Sequence, residues 1–243
     1  MTRFLIVGQP RSGTTYVQTL LSSHPDILCR GEMFDPYQID DSGRKNKNLK
    51  AIWERDANPG TFLERMLAGE GLSCAVPPVM GIKVLHHHNP SLMKEIIPAN
   101  PDLRLIHVLR ANKLAQFASA RQVQLSGRWT ASSDTGEAPL VKAGPFWAAS
   151  ECNRLENEDF LFSQWISTLP NPSLTLEYSR MHRRDTLDQL TRFLGVGPSE
   201  QMASPLRKQG QNNILDRFAD PEPIAAHFRA TGRGAWLGLE LDL

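Results

Sequence analysis

Residues 3–25 read RFLIVGQPRSGTTYVQTLLSSHP. Phe4 to Val7 form a short, unbroken apolar run that Gly8 and Pro10 stop, the pattern of a strand buried on both faces of a parallel sheet. After the QPRSG loop, Tyr16, Leu20 and Leu21 recur at helical spacing until Pro25. Strand, glycine loop and helix in that order open a nucleotide-binding α/β unit. The loop itself, Gly8 to Thr15, reads GQPRSGTT and keeps the G-x4-G spacing of a phosphate loop. A short loop entering a helix aims unpaired backbone N–H groups at an anion, and the helix dipole adds to the attraction. Ser12, Thr14 and Thr15 supply hydroxyl donors, and Arg11 places a cation inside the loop. Thr14, however, stands where an ATPase or kinase carries the lysine that reaches the β- and γ-phosphates. No apolar strand ends in an Asp suited to Mg²⁺; the best candidate, LIHVLR, ends in Arg110. A metal-dependent triphosphate enzyme is therefore disfavoured, and no metal ligand set is expected.

Outward from that stretch, residues 31–60 read as irregular and polar, a long insertion of the kind that carries substrate-binding loops. TFLERMLAG reads as a helix stopped by Gly69, VMGIKVL as a second strand and SLMKEIIP as a short helix. A third strand is expected from Leu103 to Leu109, then a helix closed by Gly127, a loop over 130–145 and a longer helical zone from Pro145 to Thr168. SLTLEY is a further strand and DTLDQLTRFLGV an amphipathic helix ended by Gly195, while the tail from Ser204 shows weak periodicity. Strands alternating with helices, without repeats or a linker, predict one α/β domain over residues 1–243: a P-loop-like fold with a mainly parallel central sheet flanked by helices.

Composition agrees with an enzyme. The chain has 243 residues with 27 Lys plus Arg against 26 Asp plus Glu, a formal charge of +1; a general nucleic-acid binder would show a strong basic excess. Cys29, Cys74 and Cys152 have no CxxC spacing, so neither a disulfide framework nor a zinc site is suggested. No stretch approaches the ~20 apolar residues of a membrane span, and Phe4–Gly8 is too short for a signal-peptide core, so a cytoplasmic protein is expected. A homodimer is compatible with the sequence.

PRSGTTYVQTLLSSHPDI resembles the 5′-phosphosulfate loop of sulfotransferases that use 3′-phosphoadenosine 5′-phosphosulfate (PAPS), and ILCRGEMFDP is similar to their bacterial carbohydrate branch, which includes the trehalose and nodulation-factor enzymes. The resemblance implies that Arg11, Ser12, Gly13, Thr14 and Thr15 hold the 5′-phosphate and sulfuryl group, with 3′-phosphoadenosine 5′-phosphate (PAP) as product. It also implies that Arg110 and Ser119, in HVLRANKLAQFASARQ, bind the 3′-phosphate. The spacing departs from the commonest pattern, with Ser119 nine residues after Arg110 where relatives have eight. SPLRKQGQNN resembles the loop that closes over the same phosphate, making Arg207, Lys208 and Gly210 candidates.

Sulfuryl transfer has a loose, in-line transition state like phosphoryl transfer, and it needs charge stabilisation and a base for the acceptor's proton. Arg11 is one cation for the first task. Lys83, taken as a strand-end lysine of GIKVL beside the first strand, is expected to face the loop and act as a second. Glu32 in RGEMF matches the glutamate proposed as base in the bacterial carbohydrate branch; His86 in KVLHHHNP occupies the region of the histidine base of the cytosolic eukaryotic branch, with K-x-x-H in place of K-x-H. Glu32 ranks first and His86 second. The expected acceptor is a hydroxyl of a small molecule or glycan, as in a carbohydrate or glycolipid. The competing readings are a kinase-like P-loop nucleotide enzyme with a degenerate loop and a nucleotide-binding protein without turnover.

Overall fold

The computed structural model describes residues 1–129, 137–206 and 210–241. Its elements in chain order are β1 (Thr2–Gly8), α1 (Thr14–Ser22), β2 (Ile27–Arg30), β3 (Ile39–Asp41), β4 (Arg44–Asn46), α2 (Leu49–Ala57), α3 (Pro59–Leu67) and β5 (Val79–Leu85). A π-helical turn (Leu92–Ile96) follows and leads into α4 (Ile97–Ala99), then β6 (Arg104–Leu109), α5 (Lys113–Ser126), α6 (Pro145–Thr168), β7 (Ser173–Glu177), α7 (Arg184–Leu194) and α8 (Pro221–Ala230). The chain packs as two compact units.

The first unit comprises Met1–Leu109, Gln164–Leu176 and Arg180–Ser204. Its five-stranded sheet has the order β2-β5-β1-β6-β7, and β1 pairs in parallel with β5 on one side and β6 on the other. The opening apolar run is therefore central: Phe4, Leu5, Ile6 and Val7 are fully buried, as are most residues of VMGIKVL beside them. Phe4 lies opposite Gly81, and a Cβ on that glycine would sit 2.2 Å from the Phe4 ring. Glycine is the residue that lets the ring cross the neighbouring strand there.

The segment 31–60, expected to be irregular, contains the β3–β4 hairpin and α2. Helix α2 starts at Asn48, whose side chain accepts a hydrogen bond from Ala51 N–H at 3.2 Å. Strand β2, to which the sequence reading assigned no element, pairs in parallel with β5. Four residues carry too short a pattern to mark a strand when the pairing partner lies some fifty residues away.

The second unit comprises Arg110–Ser163, Glu177–Ser179 and Pro205–Leu243. Its core joins Leu114, Phe117 and Ala118 of α5 to Ala148 and Cys152 of α6 and to Ile224 and Phe228 of α8. Helix α8 falls in the tail whose periodicity is weak. Asn112 caps α5 by accepting from Ala115 N–H at 2.9 Å, and Gly127 closes it in the left-handed region at φ 69°.

Candidate active site

In the first unit the loop between β1 and α1 turns sharply. Arg11 has φ 65° and Gly13 φ 102°; the left-handed region suits glycine, and holding arginine there costs of order 1–2 kcal/mol. Ser12 Oγ donates to Gln9 O at 2.8 Å, locking the turn from inside. Gly8 is needed for its closeness to β6 and the loop, because an added Cβ would stand 2.8 Å from Val108 O and 2.9 Å from Ser12 Oγ. Gly13 is the N-cap of α1 and supplies no side-chain cap to it, and uncapped N–H groups at a helix start are the kind of donors that suit an anion.

Lys83 lies within β5, opposite Ile6 of β1, and the strand runs on to Leu85. Its ammonium is buried and donates to Thr15 Oγ1 at 2.8 Å; it also lies 2.8 Å from Glu32 Oε1. One cation thus links the loop to a carboxylate that keeps 26% of its side chain exposed. The partial opening leaves room for a reactant beside a carboxylate otherwise held in protein.

Two buried arginines flank Glu32 along the chain. Arg30, at the end of β2, forks onto Asp41 at 2.8 and 2.9 Å and donates to Met66 O and Glu70 O; hydrogen bonding to Arg30 holds the Asp41 carboxyl below its ordinary pKa. Arg55 of α2 donates through one nitrogen to the carbonyls of Met33, Asp35 and Gln38 at 2.9–3.1 Å. These contacts set the backbone on both sides of Glu32. Sequence reading missed them, since a buried arginine looks like a surface one until its carbonyl partners are assembled.

The histidines separate in the fold. His86 donates its backbone N–H to Gly8 O at 3.2 Å, and its ring lies 5.9 Å from that of His107. His88 is the histidine against the carboxylate, with Nε2 3.7 Å from Glu32 Oε2. Burial, foremost, pushes its pKa down to about 3, so at neutral pH this is a neutral imidazole beside a carboxylate.

In the second unit, Arg110 follows the last residue of β6 and is buried. Its Nε and Nη2 both lie 2.6 Å from Glu240 Oε1, and the guanidinium sits 4.2 Å from the centre of the Tyr178 ring. Glu240 Oε2 takes a second cation, Arg217 Nη2, at 2.7 Å. A cavity of about 220 Å³ opens at Arg110, Tyr178 and Trp236. Gly210 packs against the Gln122 and Arg217 side chains, and Ser119 is half-buried on α5. Arg207 and Lys208 lie outside the described residues.

The model of the sulfotransferase family matches residues 3–199. The chain belongs to that family. This sulfotransferase is 27% identical over 241 residues to nodulation protein H of Rhizobium meliloti (strain 1021), a match covering 93% of this chain and 90% of the relative. It is 23% identical to nodulation protein H of Rhizobium tropici, over 93% and 88% of the two chains. Its fold is similar to that of a sulfotransferase from Alicyclobacillus acidocaldarius, with a TM-score of 0.54, 18% identity and coverage of 97% and 98%. Mouse sulfotransferase SULT7A1 complexed with PAP gives 0.50 and 13%, over 96% and 86%. Among the described residues of this sulfotransferase, no helix is long and apolar enough to cross a membrane. Likewise, no group of three or more His, Cys, Asp or Glu side chains gathers as metal ligands there.

Proposed function

We propose that this sulfotransferase moves the sulfuryl group of PAPS to a hydroxyl of a carbohydrate or glycolipid, with Glu32 as the base and PAP as the second product. The observation that carries the reading is the Lys83 ammonium, 2.8 Å from both Thr15 Oγ1 and Glu32 Oε1, which ties a phosphate-type loop to a part-open carboxylate.

In this reading the amides of Ser12 to Thr15 and the Arg11 side chain hold the 5′-phosphosulfate at the start of α1. The loop chemistry suits that group: the N–H donors at the start of α1, the Thr14 and Thr15 hydroxyls and the cations of Arg11 and Lys83 would meet one anion. Glu32 takes the acceptor's proton as the acceptor oxygen bonds to sulfur and the bond from sulfur to the phosphate oxygen breaks. Once protonated, Glu32 no longer holds Lys83 as an ion pair, and the ammonium is released to stabilise charge on the leaving phosphate oxygen. Arg110 and Ser119, with Arg207, Lys208 and Gly210, are the proposed 3′-phosphate ligands on sequence resemblance. Arg110 would then divide its guanidinium between Glu240 and the phosphate. The nodulation protein H relatives and the bacterial carbohydrate resemblance support a glycan-type acceptor.

Thermal shift separates donors: PAP without Mg²⁺ is expected to raise the Tm, and ATP with Mg²⁺ to leave it nearly unchanged. Stabilisation by ATP–Mg²⁺ alone would hand the chain to the kinase-like reading. Glu32→Gln is expected to lose turnover of labelled PAPS by at least ~100-fold, the lower range for a positioned base, while PAP still binds. Unchanged turnover would move the base to His86. A screen of labelled PAPS against sugars, glycolipids and phenols then identifies the acceptor.

A further inference from the structure

His88 lies three residues past the end of β5 and is 5% exposed. Its Nδ1 accepts a hydrogen bond from Leu85 N–H at 3.2 Å, while the His88 backbone N–H donates to Leu85 O at 2.9 Å. A ring nitrogen that accepts carries no proton, so the single proton of the neutral imidazole is on Nε2. That buried Nε2 has no hydrogen-bond partner among the described residues, and it lies 3.7 Å from Glu32 Oε2. A buried donor left unmade is costly, and here a small movement of the part-exposed carboxylate satisfies it.

We propose that His88 is a positioning residue for the transfer: its Nε2–H holds Oε2 of Glu32 while Lys83 holds Oε1, fixing the carboxylate plane toward the acceptor hydroxyl. The inference rests on Glu32 being the base and extends it, because His88 serves as donor throughout and never takes the proton. The charged and titratable groups around it fit a neutral donor. Burial and the neighbouring His87 disfavour the imidazolium, Lys83 on β5 and Arg55 on α2 add to that, and Asp35 opposes them. With the Nδ1 lone pair engaged by Leu85, an imidazolium would also set two N–H groups against each other.

A matched pair of variants tests the assignment. His88→Asn keeps an acceptor for Leu85 N–H and loses the donor toward Glu32, whereas His88→Gln keeps the far donor and loses the near acceptor. PAP release from labelled PAPS is followed with trehalose and with water as acceptor probes. His88→Asn is expected to lower kcat at least about tenfold, the lower end for one lost hydrogen bond to a charged group, with KM for PAPS unchanged. The acidic limb of its rate profile moves to higher pH, since the carboxylate has lost a donor that favours its charged form. His88→Gln keeps most of the wild-type rate and profile. The reverse ranking, with His88→Gln the damaged variant, would mean that His88 only supports the turn and would overturn the proposal. Glu32→Gln run beside them separates the two levels. If it stays active, the base assignment fails; if it is inactive while His88→Asn matches wild type in rate and profile, the His88 inference alone fails. Nitrogen-15 NMR of the wild-type imidazole is independent of variant folding. An Nε2–H tautomer from pH 5 to 8 is expected, and an Nδ1–H tautomer or an imidazolium in that range contradicts the assignment.

Discussion

Glu240 holds two buried guanidiniums at once, and its replacement by glutamine has a calculable effect. Arg110 and Arg217 are 4% and 1% exposed at the side chain, and Glu240 is 2% exposed. The substitution keeps the shape and one carbonyl acceptor but deletes the negative charge that the two guanidiniums share. Burial already lowers the Arg217 pKa, and the nearby positive charge of Arg110 lowers it further against the pull of Glu240. Without the carboxylate, two desolvated cations repel across a low-dielectric site. Removing one partner of a buried ion pair costs about 3–5 kcal/mol, and the retained carbonyl points to the lower end, about 3 kcal/mol. For a chain of this size each kcal/mol moves Tm by about 2–4 °C, so a fall of about 6–12 °C is expected. Calorimetry and urea titration at pH 7 on wild type and Glu240→Gln measure it. A Tm within about 1 °C of wild type would refute the reasoning, because the pair would then be hydrated or replaceable at no cost.

Gly81→Ala is expected to cost about 3 kcal/mol in urea titration, since the new methyl meets the Phe4 ring at 2.2 Å in the sheet centre and overpacking at such sites is poorly relieved; an unaffected midpoint would mean that Phe4 can reorient. His88 makes stability fall on acidification. Its pKa in the fold is about 3 against an ordinary 6.5, so above pH 6.5 it contributes nothing. Below that the unfolded chain binds a proton that the native ring refuses. The loss is about 1.4 kcal/mol per pH unit down to about pH 3, or about 2 kcal/mol at pH 5. Urea titrations at pH 7.5 and pH 5 should show this extra loss in wild type and not in His88→Asn; parallel losses would contradict the buried neutral ring.

The opening strand, loop and helix were legible because they are local: an apolar run, a G-x4-G loop and a helical repeat need only neighbours in sequence. Gly127 and Gly195 marked helix ends for the same reason, both closing in the left-handed region at φ 69° and 78°. Strand β2, helix α2 and helix α8 were not legible, because their order depends on partners far along the chain rather than on their own pattern. The candidate site divides the same way. Residue chemistry singled out Arg11 and Lys83, and the resemblance added Glu32 with His86 second; the histidine that the structure sets against the carboxylate is His88, two positions on, because of the direction in which the turn after β5 sends it. Nor could residue chemistry pair Arg110 with Glu240 across 130 positions.

The sequence alone therefore determined a glycine-spaced loop between a buried strand and a helix, since that loop is built from consecutive residues. Only the tertiary structure decided what stands around it. Parallel pairing of β5 with β1 and β2 carries Lys83 across 68 positions to Thr15 and sets Lys83 and His88 beside the two oxygens of the Glu32 carboxylate. Hydrogen bonds between strands fix that register, and no run of neighbouring residues encodes it.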